Sequence, residues 1–397
     1  MKNSINDLAL MGGSPEFSQP LYVGKPNIGD KERFLSRMND ILETRLLTNN
    51  GPFVREFEER VARMMGVKHC VAMANATVAL EIVTRALGME GEVIVPSMTF
   101  VATAHALQWQ QITPLFADVT EGGHHIDPEQ VERLITPRTT GIIGVHLWGQ
   151  ACDVHGLSEI ARRHKLKLVF DAAHAFGCSY NGRTIGSFGD AEVLSFHATK
   201  FVNSFEGGAI LTNNDELAEQ TRLMRNFGFT GRDQVIHVGT NGKMSEASAA
   251  MGLTSLESID EFVDINRHNY LLYRELLTGI PGLKLTEYDE HERNNYQYIV
   301  IEIDQQVTGI DRDLLQRILH GENVQARRYF YPGCHRMEPY RSYFPHAGLL
   351  LPRTEALLER VLTLPTGSSV SEDDVRRICA LLALAINHGS ILQAKLG

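Results

Sequence analysis

Cysteine is scarce in this chain: the five cysteines among 397 residues are scattered, odd in number and never spaced as Cys-x-x-Cys. We therefore expect neither a disulfide framework nor a metal site, and we expect reduced thiols in a cytosolic protein. The sequence also lacks an uninterrupted apolar run of about 18 residues and a cationic start followed by an apolar segment. We therefore predict a soluble, cytoplasmic protein that does not bind a membrane.

An excess of positive charge is also missing. The 48 acidic residues outnumber the 38 basic ones, which gives a formal net charge of −10. This balance argues against nucleic acid or an anionic membrane as the main partner, although a local basic pocket for a phosphorylated small molecule is compatible with it. Internal repeats and low-complexity tracts are absent, and a chain of this length predicts two linked globular domains.

Short apolar runs alternate with helical stretches from about residue 30 to residue 250. This alternation predicts a largely parallel sheet with helices on both faces, an α/β fold. Apolar residues from Val78 to Leu87 recur at helical spacing, and Gly88 ends that helix. The predicted strands cover residues 69–73, 92–95, 141–147, 167–170, 191–196 and 208–212.

Beyond about residue 255 the pattern changes. A long helical stretch precedes an alternating strand over residues 296–303, and Asp311 opens a further helix. Ser371 and Asp374 form an acidic variant of the capping box at the start of a last helix. We predict a large domain over residues 1–254 and a smaller α+β domain over residues 255–397.

Lys200 is the most informative residue of the chain. It follows a predicted strand and precedes Glu206-Gly207-Gly208, which places its amine in a tight, partly buried turn. Burial lowers the pKa of a lysine, and a neutral amine can attack an aldehyde to form a Schiff base. The alternative is an ordinary lysine on a loop.

Asp171 directly follows an apolar strand and would lie at the carboxyl edge of the sheet, where open α/β sheets bind ligands. A carboxylate there can pair with a protonated ring nitrogen and make a pyridine ring a strong electron sink. Alternatively, Asp171 caps the next segment. His174, three residues later, can equally be a hydrogen-bonded core histidine.

Three further segments could complete a site. Small residues at 74–77 come between a strand and a helix, where backbone amides can bind phosphate, although Thr77 could simply cap the helix. Phe100 follows the strand over 92–95 and could lie flat on a cofactor ring or fill the core. Asn241, in the polar loop 239–246, offers an amide to a phosphate or forms a plain turn.

These segments, in this order, resemble those of a known protein family. From about Leu21 to the C-terminus the chain closely resembles the sugar aminotransferases of the DegT/DnrJ/EryC1/StrS family. Seven segments occur in matching order: NAT at 75–77, TFVAT at 99–103, VHLWG at 145–149, DAAH at 171–174, SFHATK at 195–200, EGG at 206–208 and NGKMSE at 241–246.

The resemblance implies pyridoxal 5′-phosphate as cofactor, the type I aspartate-aminotransferase-like fold with a cofactor-binding large domain, and a homodimer with active sites at the subunit interface. It implies that Lys200 binds the cofactor covalently, that Asp171 holds the ring nitrogen and that His174 lies near the phenolic oxygen. Phe100 would stack on the ring. The phosphate would be bound by Ala76, Thr77 and Ser195, with Asn241 reaching in from the partner subunit, and Asn75 would be a further cofactor-binding residue.

Two positions near the lysine depart from the family pattern. Phe201 replaces a frequent asparagine, and Phe205 replaces a frequent glycine before Glu-Gly-Gly. Both changes bear on the shape of the pocket and not on its chemistry.

Residues 48–58 and 327–335 resemble the substrate-side segments of the family branch that aminates C4 of dTDP-4-keto-6-deoxyglucose for antibiotic sugars, with L-glutamate as donor. The arginines would supply charge for a diphosphate and the tyrosines flat surfaces, although an Arg-Arg pair can also be a solvated face. The candidate substrate residues are Gly51, Pro52, Arg327, Arg328, Tyr329, Tyr331 and His335.

Other functions remain open from the sequence. The family also includes C3-aminotransferases and enzymes that act on UDP- or GDP-sugars. A related dehydratase branch has histidine in place of the lysine, so Lys200 argues against it. A binding protein without catalysis is disfavoured by the joint presence of Lys200, Asp171 and Thr77.

Overall fold

The expected alternation of strands and helices is present in the computed structural model, which describes residues 1–397. The strands are β1 (Leu21–Tyr22), β2 (His69–Met73), β3 (Glu92–Pro96), β4 (Thr113–Ala117), β5 (Thr139–Val145), β6 (Lys167–Asp171), β7 (Ser179–Tyr180), β8 (Arg183–Thr184), β9 (Ala191–Ser195), β10 (Gly208–Thr212), β11 (Leu283–Leu285), β12 (Ile299–Ile303), β13 (Val324–Gln325) and β14 (Val361–Leu364).

Helices separate most of these strands. They are α1 (Lys31–Thr44), α2 (Pro52–Met65), α3 (Ala76–Ala86), α4 (Ala102–Gln108), α5 (Pro128–Arg133), α6 (Val154–His164), α7 (Asp215–Met224), α8 (Glu246–Glu257), α9 (Ile259–Leu277), α10 (Gln305–Thr308), α11 (Arg312–Gly321), α12 (Tyr340–Tyr343), α13 (Pro352–Leu358), α14 (Glu372–Asn387) and α15 (Gly389–Leu396).

A seven-stranded sheet in the order β2-β10-β9-β6-β5-β3-β4 forms the centre of the large domain. Strand β10 runs antiparallel to both of its neighbours, and the other pairs are parallel. Every residue of β3, β9 and β10 is buried, which explains why most of their residues are apolar. Apolar clusters cover both faces of the sheet, so the predicted α/β architecture is confirmed.

The smaller sheet is antiparallel, in the order β11-β12-β14, and lies in the C-terminal part of the chain as predicted. The predicted strand over 296–303 begins only at Ile299, and Tyr296 has a left-handed φ of 48° that extended strands do not adopt. The capping box of Ser371 and Asp374 at the start of α14 is confirmed.

The first residues of the chain pack with this smaller sheet. Leu8 and Phe17 belong to its apolar core, and β1 pairs in parallel with β13. The predicted boundary at residue 254 falls inside α8. We therefore propose that the small domain comprises the N-terminal segment up to β1 together with the chain from α9 onward.

No single helix combines the length and the apolar composition needed to cross a membrane. Only α14 and α15 taken together pass that test, and the two are bent by 79° at their junction.

Candidate active site

The carboxyl edge of the large sheet gathers most of the predicted site residues. Asp171 ends β6 and Ser195 ends β9, while Asn75 and Phe100 follow β2 and β3. Because these four strands point the same way, their ends meet at one edge. A cavity of about 660 Å³ opens there, and its lining includes Asn75, Ala76, Thr77, Phe100, Asp171, His174, Ser195 and Lys200.

Lys200 lies in the turn after β9, where its backbone amide donates to the His197 carbonyl at 2.8 Å. Burial lowers the pKa of the Lys200 amine to about 8, and the nearby charge of Asp171 only partly opposes this effect. A substantial fraction of the amine is therefore neutral near physiological pH, as nucleophilic attack requires.

Asp171 is only 7% exposed. Its Oδ2 accepts a hydrogen bond from Thr103 Oγ1 at 2.8 Å and its Oδ1 accepts one from the Ala173 amide at 3.1 Å. Burial raises the pKa of Asp171, whereas these two hydrogen bonds and the charges of Lys200 and His146 oppose the rise. The two hydrogen bonds thus fix the orientation of the carboxylate.

Thr103 was not identified from the sequence as a site residue. Its hydroxyl lies 3.0 Å from Thr99 Oγ1, and because it donates to Asp171 it accepts from Thr99. The spacing of four residues relates Thr99 to Thr103, but nothing in the local sequence indicates the contact with Asp171.

His174 is buried, and its protonation state follows from its partners. Its Nδ1 accepts a hydrogen bond from the Trp148 amide at 3.1 Å, so the ring proton lies on Nε2. Burial, reinforced by the charge of Lys200, holds the pKa of His174 well below its usual range. The ring stacks on Phe330 with centroids 5.9 Å apart. His174 is therefore a neutral Nε2–H donor.

The N-terminus of α3 lies beside the start of β10. Asn75 caps α3 by accepting from the Val78 amide at 2.9 Å, so Thr77 is not the cap and its own amide belongs to the free first turn. A Cβ on Gly208 would lie 2.5 Å from the Ala76 nitrogen, so only glycine lets β10 approach this closely. The free amides suit an anion.

Phe100 does not fill the core, because 57% of its surface is exposed. It lines the main cavity together with the residues above, at the edge formed by the segment after β3. An amine, a carboxylate, a helix N-terminus and an aromatic face are the groups that pyridoxal 5′-phosphate needs, so the residues present fit this cofactor.

A second cavity of about 470 Å³ adjoins the first. It is lined by Arg327, Arg328, Tyr329 and Tyr331, all predicted substrate residues, and it shares Arg327 and Tyr329 with the main cavity. Arg328 donates to Asp313 Oδ1 at 3.0 Å and stacks over Tyr331 at 4.3 Å. Arg327 is exposed and stacks over Tyr329 at 5.2 Å. The two arginines therefore differ in how strongly neighbouring groups hold them.

Four predicted residues do not line either cavity of this chain. Asn241 is exposed, and Gly51 and Pro52 begin α2, where Glu246 accepts from the Phe53 amide at 2.7 Å. His335 is buried and contacts Ser97 Oγ and Glu355 Oε1 through its two ring nitrogens, each at 2.6 Å. The structure thus gives His335 a packing position away from the predicted substrate contact.

Neither of the two residues that depart from the family pattern lines the cavity. Phe201 is buried in the core beside Phe262, with centroids 6.4 Å apart. Phe205 has a left-handed φ of 62°, which explains why glycine is favoured there, and its ring packs against Phe34.

The chain is similar to known proteins over most of its length. The model of the DegT/DnrJ/EryC1/StrS aminotransferase family matches residues 29–383. A dTDP-4-amino-4,6-dideoxy-D-glucose transaminase of Shigella dysenteriae is 35% identical over 364 residues, covering 92% of this chain and 98% of the relative. A GDP-perosamine synthase of Vibrio cholerae is 30% identical, covering 91% of this chain and 97% of the relative.

Among solved structures, DesI, crystallised in the presence of its TDP-sugar product, superimposes with a TM-score of 0.95. It is 51% identical, and the match covers 99% of each chain. The predicted fold class is therefore confirmed.

Proposed function

Because the chain belongs to the DegT/DnrJ/EryC1/StrS aminotransferase family, we propose that it uses pyridoxal 5′-phosphate to move an amino group from L-glutamate to C4 of dTDP-4-keto-6-deoxy-D-glucose. The products are 2-oxoglutarate and dTDP-4-amino-4,6-dideoxy-D-glucose. The observation that carries this proposal is the meeting of Lys200 and Asp171 in one cavity, in a chain 35% identical to a transaminase named for that amino sugar.

Pyridoxal 5′-phosphate, when bound, supplies an aldehyde and an electron-withdrawing pyridine ring. Lys200 provides the amine that binds covalently and, once released, the base that moves a proton at the substrate carbon. Asp171, held by Thr103, would hold the ring nitrogen, and His174 would offer its Nε2–H to the phenolic oxygen. The first turn of α3 and Ser195 would bind the phosphate.

Arg327 is the favoured contact for the diphosphate of the nucleotide sugar. It lines both cavities, and its backbone is fixed by reciprocal hydrogen bonds with Thr363 at 3.0 and 2.7 Å. Arg328 shares the carboxylate of Asp313 with Arg312, so its charge is already partly balanced. The sugar would then occupy the main cavity and the nucleoside the second one.

A homodimer is part of the proposal. Three predicted residues, Asn241, Gly51 and Pro52, do not reach the cavity of their own chain. The apolar side chains of Leu42, Leu46 and Leu47, which precede Gly51 in the sequence, are exposed. Such a surface favours contact with a second copy, which could bring those residues to the neighbouring cavity. The cytoplasmic location and a role in antibiotic sugars are likewise proposed.

The test is a panel of dTDP-, UDP- and GDP-linked 3-keto and 4-keto sugars, each incubated with L-glutamate and pyridoxal 5′-phosphate. We expect NMR to show an amino group at C4 of the dTDP-linked 4-keto sugar and 2-oxoglutarate in equal amount. Lys200→Ala should form neither product. Preferred amination of a GDP-linked sugar, the nucleotide in the name of the Vibrio cholerae relative, would contradict the proposed substrate but not the reaction.

A further inference from the structure

A buried asparagine of the small domain holds the turn that carries His174. Asn295 lies just before β12 and is 1% exposed. Its Nδ2 donates to the His174 carbonyl at 2.9 Å and to the Phe176 carbonyl at 3.2 Å. Both carbonyls belong to the turn between β6 and β7 in the large domain. One side chain therefore ties this turn to the other domain.

Asn295 is itself fixed by its neighbours. Its Oδ1 accepts from the Gln297 amide at 3.1 Å, and its backbone carbonyl accepts from Asn266 Nδ2 of α9 at 3.0 Å. A Cβ on Gly149 would lie 2.9 Å from Asn295 Oδ1 and 3.3 Å from the His174 carbonyl oxygen, so glycine permits the close approach. The side-chain amide thus uses both of its N–H groups and its oxygen.

The ring of His174 is held from the same side. Trp148, the residue before Gly149, donates its amide to His174 Nδ1 at 3.1 Å. The ring of Tyr298, three residues after Asn295, packs on the His174 ring with centroids 4.7 Å apart, and it also lines the main cavity. The position of the one ring donor of His174, its Nε2–H, therefore depends on the turn that Asn295 holds.

We propose that Asn295 is a positioning residue that sets, from the small domain, where His174 offers its Nε2–H to the phenolic oxygen of the cofactor. Asn295 lines neither cavity, so it acts only through His174. A purely structural role would stabilise the turn without any effect that depends on the phenolic oxygen. This inference rests on the proposed function.

The test compares two probes on cofactor-free protein: pyridoxal 5′-phosphate and 3-deoxypyridoxal 5′-phosphate, which lacks the phenolic oxygen. We expect the wild type to prefer the natural cofactor, and Asn295→Ala to reduce this preference about fivefold, within the range of one neutral hydrogen bond. Dissociation constants from equilibrium dialysis give the ratio without reference to activity. Any effect of the missing oxygen on the bond to Lys200 is common to all variants.

Two further variants calibrate the ratio. Asn269→Ala is the matched control, because Asn269 is also buried and donates through Nδ2 to the Val370 carbonyl at 3.2 Å, but it lines neither cavity. It should keep the wild-type ratio. His174→Phe removes the ring donor and gives the ratio expected when His174 does not bind the phenolic oxygen.

An unchanged ratio in Asn295→Ala, with equal losses for both probes or with none, would overturn the proposal. So would a wild-type ratio no higher than that of His174→Phe. If Asn295→Ala does not fold, Asn295→Asp keeps the shape and replaces the donating nitrogen by oxygen. It should show the same selective loss, and a wild-type ratio there would also overturn the proposal. A wild-type protein that binds neither probe would contradict the proposed function instead.

Discussion

Burial acts in opposite directions on the two residues at the centre of the cavity. It lowers the pKa of Lys200 to about 8 and raises the pKa of Asp171, because in each case the charged form loses its hydration. Each residue is also the neighbouring charge that limits the shift of the other. The cavity thus supplies a reactive amine beside a carboxylate that Thr103 and Ala173 hold by hydrogen bonds.

The pKa of Lys200 predicts how fast the protein takes up its cofactor. Only the neutral amine attacks an aldehyde, so the rate of covalent uptake by cofactor-free protein should rise with pH and level off above about pH 8. Stopped-flow absorbance with pyridoxal 5′-phosphate measures this rate from about pH 6 to about pH 10.5, so that the series extends to the usual pKa of a lysine. A rate that keeps rising up to about pH 10, as for a solvated lysine, would contradict the prediction.

Replacing Asp171 by asparagine keeps the shape but removes the charge. We expect Asp171→Asn to slow the half-reaction with L-glutamate by roughly 10²- to 10⁴-fold, since breaking a buried charge pair costs about 3–5 kcal/mol. Single-turnover spectroscopy measures this rate. Thr103→Val, which removes the 2.8 Å hydrogen bond to Asp171 and the 3.0 Å one from Thr99, should slow it about tenfold. Equal rates in Asp171→Asn and wild type would show that another residue binds the ring nitrogen of the cofactor.

At the residue scale, the sequence predicts the site residues whose position depends on strand order. It does not predict hydrogen bonds to residues far away in the chain. Asp171, Ser195 and Lys200 could be placed because each follows an apolar strand of a parallel sheet. Thr103 bonds a carboxylate 68 residues away, and His335 bonds a serine 238 residues away. No local pattern carries such information.

Gly208 at the start of β10 sets the distance between two elements, the strand and the N-terminus of α3. An alanine there would place its Cβ 2.5 Å from the Ala76 nitrogen and from the Asn75 carbonyl carbon, and backbone atoms cannot move aside. We expect Gly208→Ala to weaken phosphate binding and to lower the free energy of unfolding by about 1–3 kcal/mol.

Cofactor titration and urea denaturation measure both effects of Gly208→Ala. Gly231→Ala is the control, because a Cβ at Gly231 meets nothing within 4 Å. If Gly208→Ala binds pyridoxal 5′-phosphate as tightly as the control does, the N-terminus of α3 is less restricted than the structure indicates.

At the element scale, the Ser371 capping box follows from local sequence. The cap of α3 does not, because Asn75 and not Thr77 occupies that position. Strand β4 was not predicted, because it lies at the sheet edge, is only partly buried and contains Pro114. Edge strands tolerate proline, and their apolar pattern is weak. Their position in a sheet is decided by pairing and not by composition.

Three helices of the whole molecule are tied by one carboxylate. Glu257 at the end of α8 bonds Arg37 of α1 at 2.7 Å and Arg60 of α2 at 2.8 Å, and Arg33 of α1 at 3.0 Å. Burial would raise the pKa of Glu257, but these arginines lower it to about 2. Because the folded-state pKa is depressed, the stabilisation is present above the usual glutamate pKa and is lost as the pH falls towards 2.

We therefore expect Glu257→Gln to lower the free energy of unfolding by about 2 kcal/mol at pH 7, a value discounted for the exposure of Arg33. The difference from wild type should shrink between pH 5 and pH 3, in line with the usual titration of glutamate. Urea denaturation at several pH values measures it. Glu59→Gln, which breaks an exposed pair with Arg63 within α2, should change stability little. A pH-independent difference would mean that charge is not the cause.

The fold class and the division into a large and a small domain follow from the alternation of strands and helices and from its end near residue 255. The same alternation does not predict to which domain the first residues of the chain belong. Leu8 and Phe17 pack against residues from the other end of the chain, and nothing in their local sequence indicates that partner.

The pairing of the N-terminal segment with the small domain sets an order of events during synthesis. The Phe17 carbonyl accepts a hydrogen bond from Asn323, 306 residues later. At 5–20 residues per second, the ribosome needs roughly 15–60 s to make that partner. Leu8 and Phe17 thus leave the exit tunnel without their final neighbours, and the large domain can fold before the two ends of the chain join.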